Sequence, residues 1–199
     1  FLMERKFPFV AFGRSNPGWN FPYVDVDGAE GFRQATKYLI DRGIQRIGVL
    51  AWPDDSRVGN DRMAGFFETM NAAGLDVNPK WMERGEGTFE FGYLASLRLL
   101  ALPAANRPKA ILAMSDAMAI GGIRAARESR LDVGRDIAII GFDDAPMSQY
   151  LFPALTTVRQ PIREAGRKCV EILVSLMKGE EPAEQHVLLP PSLITRSSA

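Results

Sequence analysis

Apolar runs and amphipathic stretches alternate along most of this chain. Residues 47–51 (IGVLA), 110–114 (AILAM) and 137–142 (IAIIGF) are short apolar runs bounded by turn-forming residues, the pattern of strands buried on both faces. Helical periods lie between them. Phe32, Ala35, Leu39 and Ile40 fall on one stripe that stops at Gly43, and Asp27 with Glu30 three residues on gives its start a capping-box pattern. Met63, Phe66, Phe67 and Met70 form a second stripe, ending at Gly74, and Tyr93, Leu94, Leu97 and Leu100 a third, closed near Pro103. A weak extended stretch at 80–84 separates the second from the third, and an Ala/Gly-rich helical segment runs from 116 to about 130. The middle of the chain therefore reads β-α-β-α-β-α-β, which predicts an α/β fold with a parallel sheet and helices on both faces.

The ends are less regular. Residues 8–12 (PFVAF) and 23–26 are brief extended pieces around a loop at 15–22 that contains Trp19. After a loop at 146–153, residues 156–159 (TTVR) form a short β-branched strand. Ile162, Ala165, Cys169, Ile172 and Leu176 then make a helical stripe, with Pro161 at its first position. Two short strands, at 187–189 and 193–195, close the chain.

Composition narrows the class. Hydrophobic residues make up 46% and charged residues 24% of the 199, as in ordinary globular proteins, and there is no apolar run of membrane-spanning length. Lysine plus arginine balance aspartate plus glutamate at 24 each, so no global field attracts nucleic acid or anionic lipid. The single cysteine excludes an internal disulfide and fits a reducing compartment; with one histidine, it also argues against structural zinc. No catalytic constellation emerges: His186 stands apart from any nucleophile, and neither a G-x-S-x-G elbow nor a phosphate-binding loop is present. Residues 25–28 (DVDG) begin like a calcium loop, but Thr36 stands where the late acidic ligand is required. Arg124, Arg127 and Arg130 read as a solvated helix face.

What remains is polar chemistry at strand ends. Ser115-Asp116 follows one buried strand and Asp143-Asp144 the next, and in an open α/β sheet ligands sit beyond the carboxyl ends of the strands. Each Asp could equally be a helix or turn cap. Arg62, Arg14, Trp19, Trp52 and Phe89 are further candidates. Arginine and carboxylates satisfy the hydroxyls of a sugar, and rings cover its apolar faces. By the same residue-level reading, Arg62 could instead be a surface ion pair, Phe89 core packing and Trp52 a buried plug.

Three segments carry a specific resemblance. SDAMAIGGIRAARESRLDVGRDIAIIGFDD (115–144), PALTTVRQP (153–161) and the ending LLPPSLITRS (188–197) resemble the core of LacI/GalR-family transcription regulators. GIQRIG (43–48) and the Arg62-x-x-Gly65-Phe66 helix match as well. The resemblance implies a periplasmic-binding-protein-like fold of two lobes with an effector cleft. Residues 1–27 and 155–180 would form a partial amino-terminal lobe, and 28–154 and 181–199 the carboxy-terminal lobe. By position it implies effector contacts at Arg14, Trp19, Arg62, Phe89, Ser115 and Asp143, and makes Asp116 a local cap. It implies a cytoplasmic, homodimeric regulator, with no enzymatic activity, cofactor or metal. A small-molecule effector, a sugar, would control operator DNA binding. The DNA-binding headpiece and the first strands of the amino-terminal lobe are absent from this sequence, which reads as a fragment of the family's full length. The alternative on the same fold is a solute-binding protein of a sugar uptake system, against which the TTVRQP and GFDD motifs weigh.

Overall fold

The computed structural model describes residues 2–5, 7–14 and 20–199. The chain divides into two compact units: Phe1–Asp27 with Gln160–Pro191, and Gly28–Arg159 with Ser192–Ala199.

The smaller unit contains β1 (Ala11–Phe12) and β2 (Tyr23–Val26). The larger unit then runs α1 (Gly28–Asp41), β3 (Ile47–Ala51), α2 (Arg57–Ala72), β4 (Met82–Arg84), α3 (Phe89–Leu100), β5 (Ala110–Ala113), α4 (Asp116–Glu128), β6 (Ala138–Asp143) and β7 (Thr156–Arg159). The chain returns to the smaller unit for α5 (Ile162–Met177) and β8 (His186–Leu189), and ends in the larger one with β9 (Ser192–Ile194).

The larger sheet has the order β4-β3-β5-β6-β7-β9, parallel throughout except for β9, which runs antiparallel to β7. The steps β3 to β4 and β4 to β5 go in opposite directions along the sheet. Right-handed crossovers therefore put α2 and α3 on opposite faces. α1 packs with α2, and α3 with α4, so each face carries a helix pair. The completely buried runs of β3 and β5 follow from this double cover, as the unbroken apolar stretches predict. Phe32, Phe66, Phe142, Leu50, Ile111, Leu112 and Met114 are among its fully buried side chains.

In the smaller unit the parallel order is β1-β2-β8, with Tyr23 opposite His186 and Val26 opposite Leu189. α5 packs on this sheet through Ala165 and Ile172, which bury with Val24, Val187 and Leu189.

Several sequence-based expectations shift. The return to the smaller unit comes at 160, not 155, because β7 pairs with β6 and β9. The last crossing comes at 192, not 181, because β8 completes the smaller sheet beside β2. Phe67 is exposed, unlike its neighbours Met63, Phe66 and Met70. The buried face of α3 is Gly92, Ala95, Ser96, Leu99 and Leu100 rather than the Tyr93–Leu94–Leu97 stripe. The reason lies in small residues: a Cβ on Gly92 would come within 2.3 Å of the Met118 carbonyl oxygen, and one on Gly121 within 2.3 Å of that of Phe89. α3 and α4 touch backbone to backbone there, so glycine marks the inner face. α4 stops at Glu128, and Arg130 lies beyond it with φ 58°, off the helix face shared by Arg124 and Arg127.

Candidate functional site at the carboxyl edge of the larger sheet

β3, β5 and β6 lie side by side, with Leu50 opposite Ala113 and Leu112 opposite Ile140. Trp52, Met114 and Phe142 consequently meet at or just beyond their carboxyl ends. Beyond Trp52, Ser56 caps α2, its Oγ accepting from the Gly59 amide at 3.1 Å. Arg62 follows on that helix.

Arg62 is 4% exposed. Its Nη1 donates to the Met114 carbonyl oxygen. Its guanidinium carbon lies 3.6 Å from the centroid of Phe142 and 4.7 Å from that of Trp52. A buried cation is costly unless paired or hydrogen-bonded, and here two π faces and a strand-end carbonyl surround it. Gly28 leaves the room it needs, since a Cβ there would stand 3.0 Å from Arg62 Cγ.

The strand-end carboxylates divide into different roles. Asp116 is buried; it accepts from Ser148 Oγ at 2.6 Å, Thr157 Oγ1 at 2.5 Å and the Ala145 amide at 2.7 Å. Burial pushes its carboxyl above the usual carboxylate range, against the pull of those three donors. The cap of α4 is Ser115, and Asp116 instead ties the helix start to the loop after β6 and to β7. Asp144 receives Arg159 Nε at 2.6 Å and Arg196 Nη2 at 2.7 Å. Burial alone would raise its carboxyl, but the hydrogen bonds and charges of Arg196 and Arg159 outweigh that and hold it below the ordinary value. Asp143, at the end of β6, is exposed. Both Asp143 (φ 120°) and Asp144 (φ 53°) have positive φ, where a side chain is strained. Ser115 is buried as the cap of α4, its Oγ accepting from the Met118 amide at 3.3 Å.

Other predicted residues stand elsewhere. Phe89 opens α3 and stacks on Tyr93, rings 6.5 Å apart, beside the Arg124 guanidinium. Arg14 lies in the smaller unit, its Nε 2.8 Å from Asp25 Oδ2. Trp19 lies outside the described residues. Two aromatics of the Arg62 cluster were harder to single out. Phe142 reads as one more apolar residue of a buried strand, and Trp52 carried only the signal of an aromatic at a strand end before a Pro-Asp-Asp turn. Among the described residues no three His, Cys, Asp or Glu side chains converge as metal ligands, and no helix is long and apolar enough to cross a membrane.

The periplasmic binding protein-like domain family matches residues 36–199. The HTH-type transcriptional repressor CytR of Escherichia coli is 34% identical over 191 residues, covering 96% of this chain and 55% of that repressor. A LacI-family regulatory protein from Chloroflexus aggregans superposes with a TM-score of 0.96 at 59% identity, covering 99% of this chain and 70% of that one. A transcriptional regulator, CelR, in complex with cellobiose superposes with a TM-score of 0.91 at 34% identity, covering all of this chain and 61% of that one. The chain thus spans little more than half the length of the repressor CytR.

Proposed function

This chain belongs to the periplasmic-binding-protein-like domain family, in the form carried by LacI-family transcription regulators, and we propose from that premise that it is the effector-binding and dimerisation core of a sugar-responsive repressor. The observation that carries the reading is the buried Arg62 guanidinium held between Trp52 and Phe142 at the carboxyl edge of a parallel sheet. Its geometry suits a donor fork for the hydroxyls of a small solute, and Asp143 is the matching acceptor. Likeness to a regulator complexed with cellobiose supports a sugar as the ligand. Arg14, Trp19, Phe89 and Ser115 enter the proposal as secondary contacts, each tested by its alanine variant.

The activity is regulatory rather than enzymatic, and the site of action is the cytoplasm. Effector binding would bias one of two arrangements of the regulator and so alter its affinity for operator DNA through a headpiece outside this chain. The relatives are regulators, which weighs against a solute-binding protein of an uptake system. A second copy of the chain is the proposed dimer partner. Met147, Tyr150 and Phe152 are 67%, 81% and 86% exposed, an apolar cluster that a monomer would leave in water.

The test is a thermal-shift and calorimetric screen of the full-length protein against cellobiose, maltose, lactose, glucose, galactose and purines. A ligand at one hundred times its Kd stabilises the folded state by about 2.7 kcal/mol, a rise of several degrees in Tm. Arg62→Ala is expected to abolish the response to the best sugar. A sugar response that survives this substitution unchanged refutes the assignment.

A further inference from the structure

Trp52 is held by several contacts. Its amide donates to Met114 Sδ at 3.1 Å, and its carbonyl accepts from Arg84 Nη1 at 3.0 Å. Arg84 also pairs with Asp54 at 2.9 Å, so the strand-end turn is tied to the end of β4. Gly59, in the first turn of α2, leaves space for the Trp52 Cβ, which would lie 3.2 Å from a Cβ at that position. One neighbour of the indole is the Arg62 guanidinium, 4.7 Å from the ring centroid.

The loop after β4 passes beside the indole. A Cβ on Gly87 would stand 2.8 Å from Trp52 Nε1, closer than real Cβ contacts allow. Gly87 is not at a positive φ, so its lack of a side chain serves space rather than backbone freedom. The space is used by the indole.

The ring is nevertheless not closed into the core. Trp52 is half-buried. Among the described residues its Nε1–H has no hydrogen-bond acceptor. Trp81, by contrast, is buried and donates its Nε1–H to the Asn106 carbonyl at 2.8 Å. A fixed, partly exposed indole with an open donor, beside a buried arginine, has what an aromatic sugar subsite needs. The ring face covers C–H groups and the N–H reaches a hydroxyl.

We propose that Trp52 is the aromatic wall of the effector site, stacking on an apolar ring face of the sugar, and that position 87 is glycine so that the indole can stand there. The inference rests on the sugar-binding reading above and deepens it. It moves the stacking role from Phe89, which stacks on Tyr93.

The test uses the full-length protein and the tightest-binding sugar among cellobiose, maltose, lactose, glucose and galactose. Trp52→Ala is expected to weaken binding at least tenfold by calorimetry, and Trp52→Phe, which keeps a ring but loses the donor, several-fold. Gly87→Val, which displaces the indole while leaving both Trp52 and Arg62 in the sequence, should weaken binding about as much as Trp52→Ala. Sugar should shift the tryptophan emission of wild type and protect it from acrylamide quenching. Both effects should be largely lost in Trp52→Phe and persist in Trp81→Phe, whose indole is buried on the Asn106 carbonyl. If Trp52→Ala does not fold, the emission of wild type, Trp52→Phe and Trp81→Phe decides. Unchanged affinity in Trp52→Ala, or an emission response undiminished in Trp52→Phe or lost in Trp81→Phe, overturns the inference. If Arg62→Ala abolishes binding while the Trp52 variants bind as wild type, only the stacking assignment falls. If no sugar binds wild type, the sugar-binding reading falls and takes the inference with it.

Discussion

Replacing Asp116 by alanine should be among the most damaging single changes in the larger unit. The carboxylate accepts three hydrogen bonds of 2.5–2.7 Å from Thr157, Ser148 and the Ala145 amide. Hydrogen bonds to a charged acceptor contribute roughly 1.5–3 kcal/mol each. Their sum is an upper bound, because burying the carboxylate costs part of it back. Ser148 and Thr157 are fully buried and would be left with unanswered hydroxyls. We therefore expect Asp116→Ala to cost about 3–5 kcal/mol, read as a lower urea midpoint at constant slope. Asp116→Asn keeps one oxygen for Ser148 and Ala145, and Thr157 can turn to accept from the new amide, so its cost should be about 1–2 kcal/mol. The pH dependence has a definite sign. Burial raises the folded carboxyl above its unfolded value, so between the two the folded state holds the proton more tightly. Stability is then lost as pH rises through the folded value, and Asp116→Asn does not share that loss. The gap between wild type and Asp116→Asn must narrow with rising pH across that window. A cost below about 1 kcal/mol for Asp116→Ala, or a gap that widens, refutes the reasoning.

Asp144 should behave in the opposite way. Arg196 and Arg159 overcome its burial and depress its carboxyl, so its stabilising contribution exists above the ordinary carboxylate range and is lost as pH falls through the folded value. Asp144→Asn is expected to destabilise at neutral pH and to approach wild type in acid, checked by urea titrations from pH 7 downward. Gly92→Ala puts a methyl group against the Met118 carbonyl and should cost about 1–3 kcal/mol or more. Gly166→Ala, on a helix position with nothing within 4 Å, should stabilise by up to about 1 kcal/mol in the same assay. For the dimer, Tyr150→Glu with Phe152→Glu is expected to shift sedimentation of the full-length protein from dimer to monomer. An unchanged sedimentation coefficient places the contact elsewhere.

The elements of the larger unit were legible because each is announced by its own local signal. IGVLA, AILA and AIIGF are apolar throughout, as strands covered on both faces must be, whereas the caps Ser56, Thr88 and Ser115 read from the sequence only as turn or loop residues. The inner face of α3 was not legible from hydrophobicity, because close backbone contact selects Gly92, Ala95 and Ser96 rather than leucine. The home of β8 was not legible either. A four-residue strand names no partner, and its pairing with β2 joins segments about 160 residues apart. At the candidate site, strand-end logic pointed to Asp143 and the family resemblance to Arg62 as well, which the residues alone left open as a surface ion pair; its burial takes it off the surface. The Trp52 contact with Arg62 did not, since it depends on three strands ending at one level.

The Asp143-Asp144 pair shows how a repeated residue type can hide unlike roles. Two successive non-glycine residues at positive φ cost of order 1–3 kcal/mol each and persist only where the surroundings over-determine them. Here the restraints come from both directions. Arg159 and Arg196 hold the Asp144 side chain, while Asp116 takes the Ala145 amide one residue on and Ser148 further along the loop. A buried carboxyl pushed above the usual carboxylate range and one held below it by two arginines thus fix the same turn. A turn fixed this way sets the backbone direction of Asp143 before any ligand arrives, and less ordering remains to oppose binding. Loosening it through Asp116 or Asp144 should therefore weaken sugar affinity without touching a ligand-contacting group. On the proposed role of Asp143, the strained turn would then belong to the effector site.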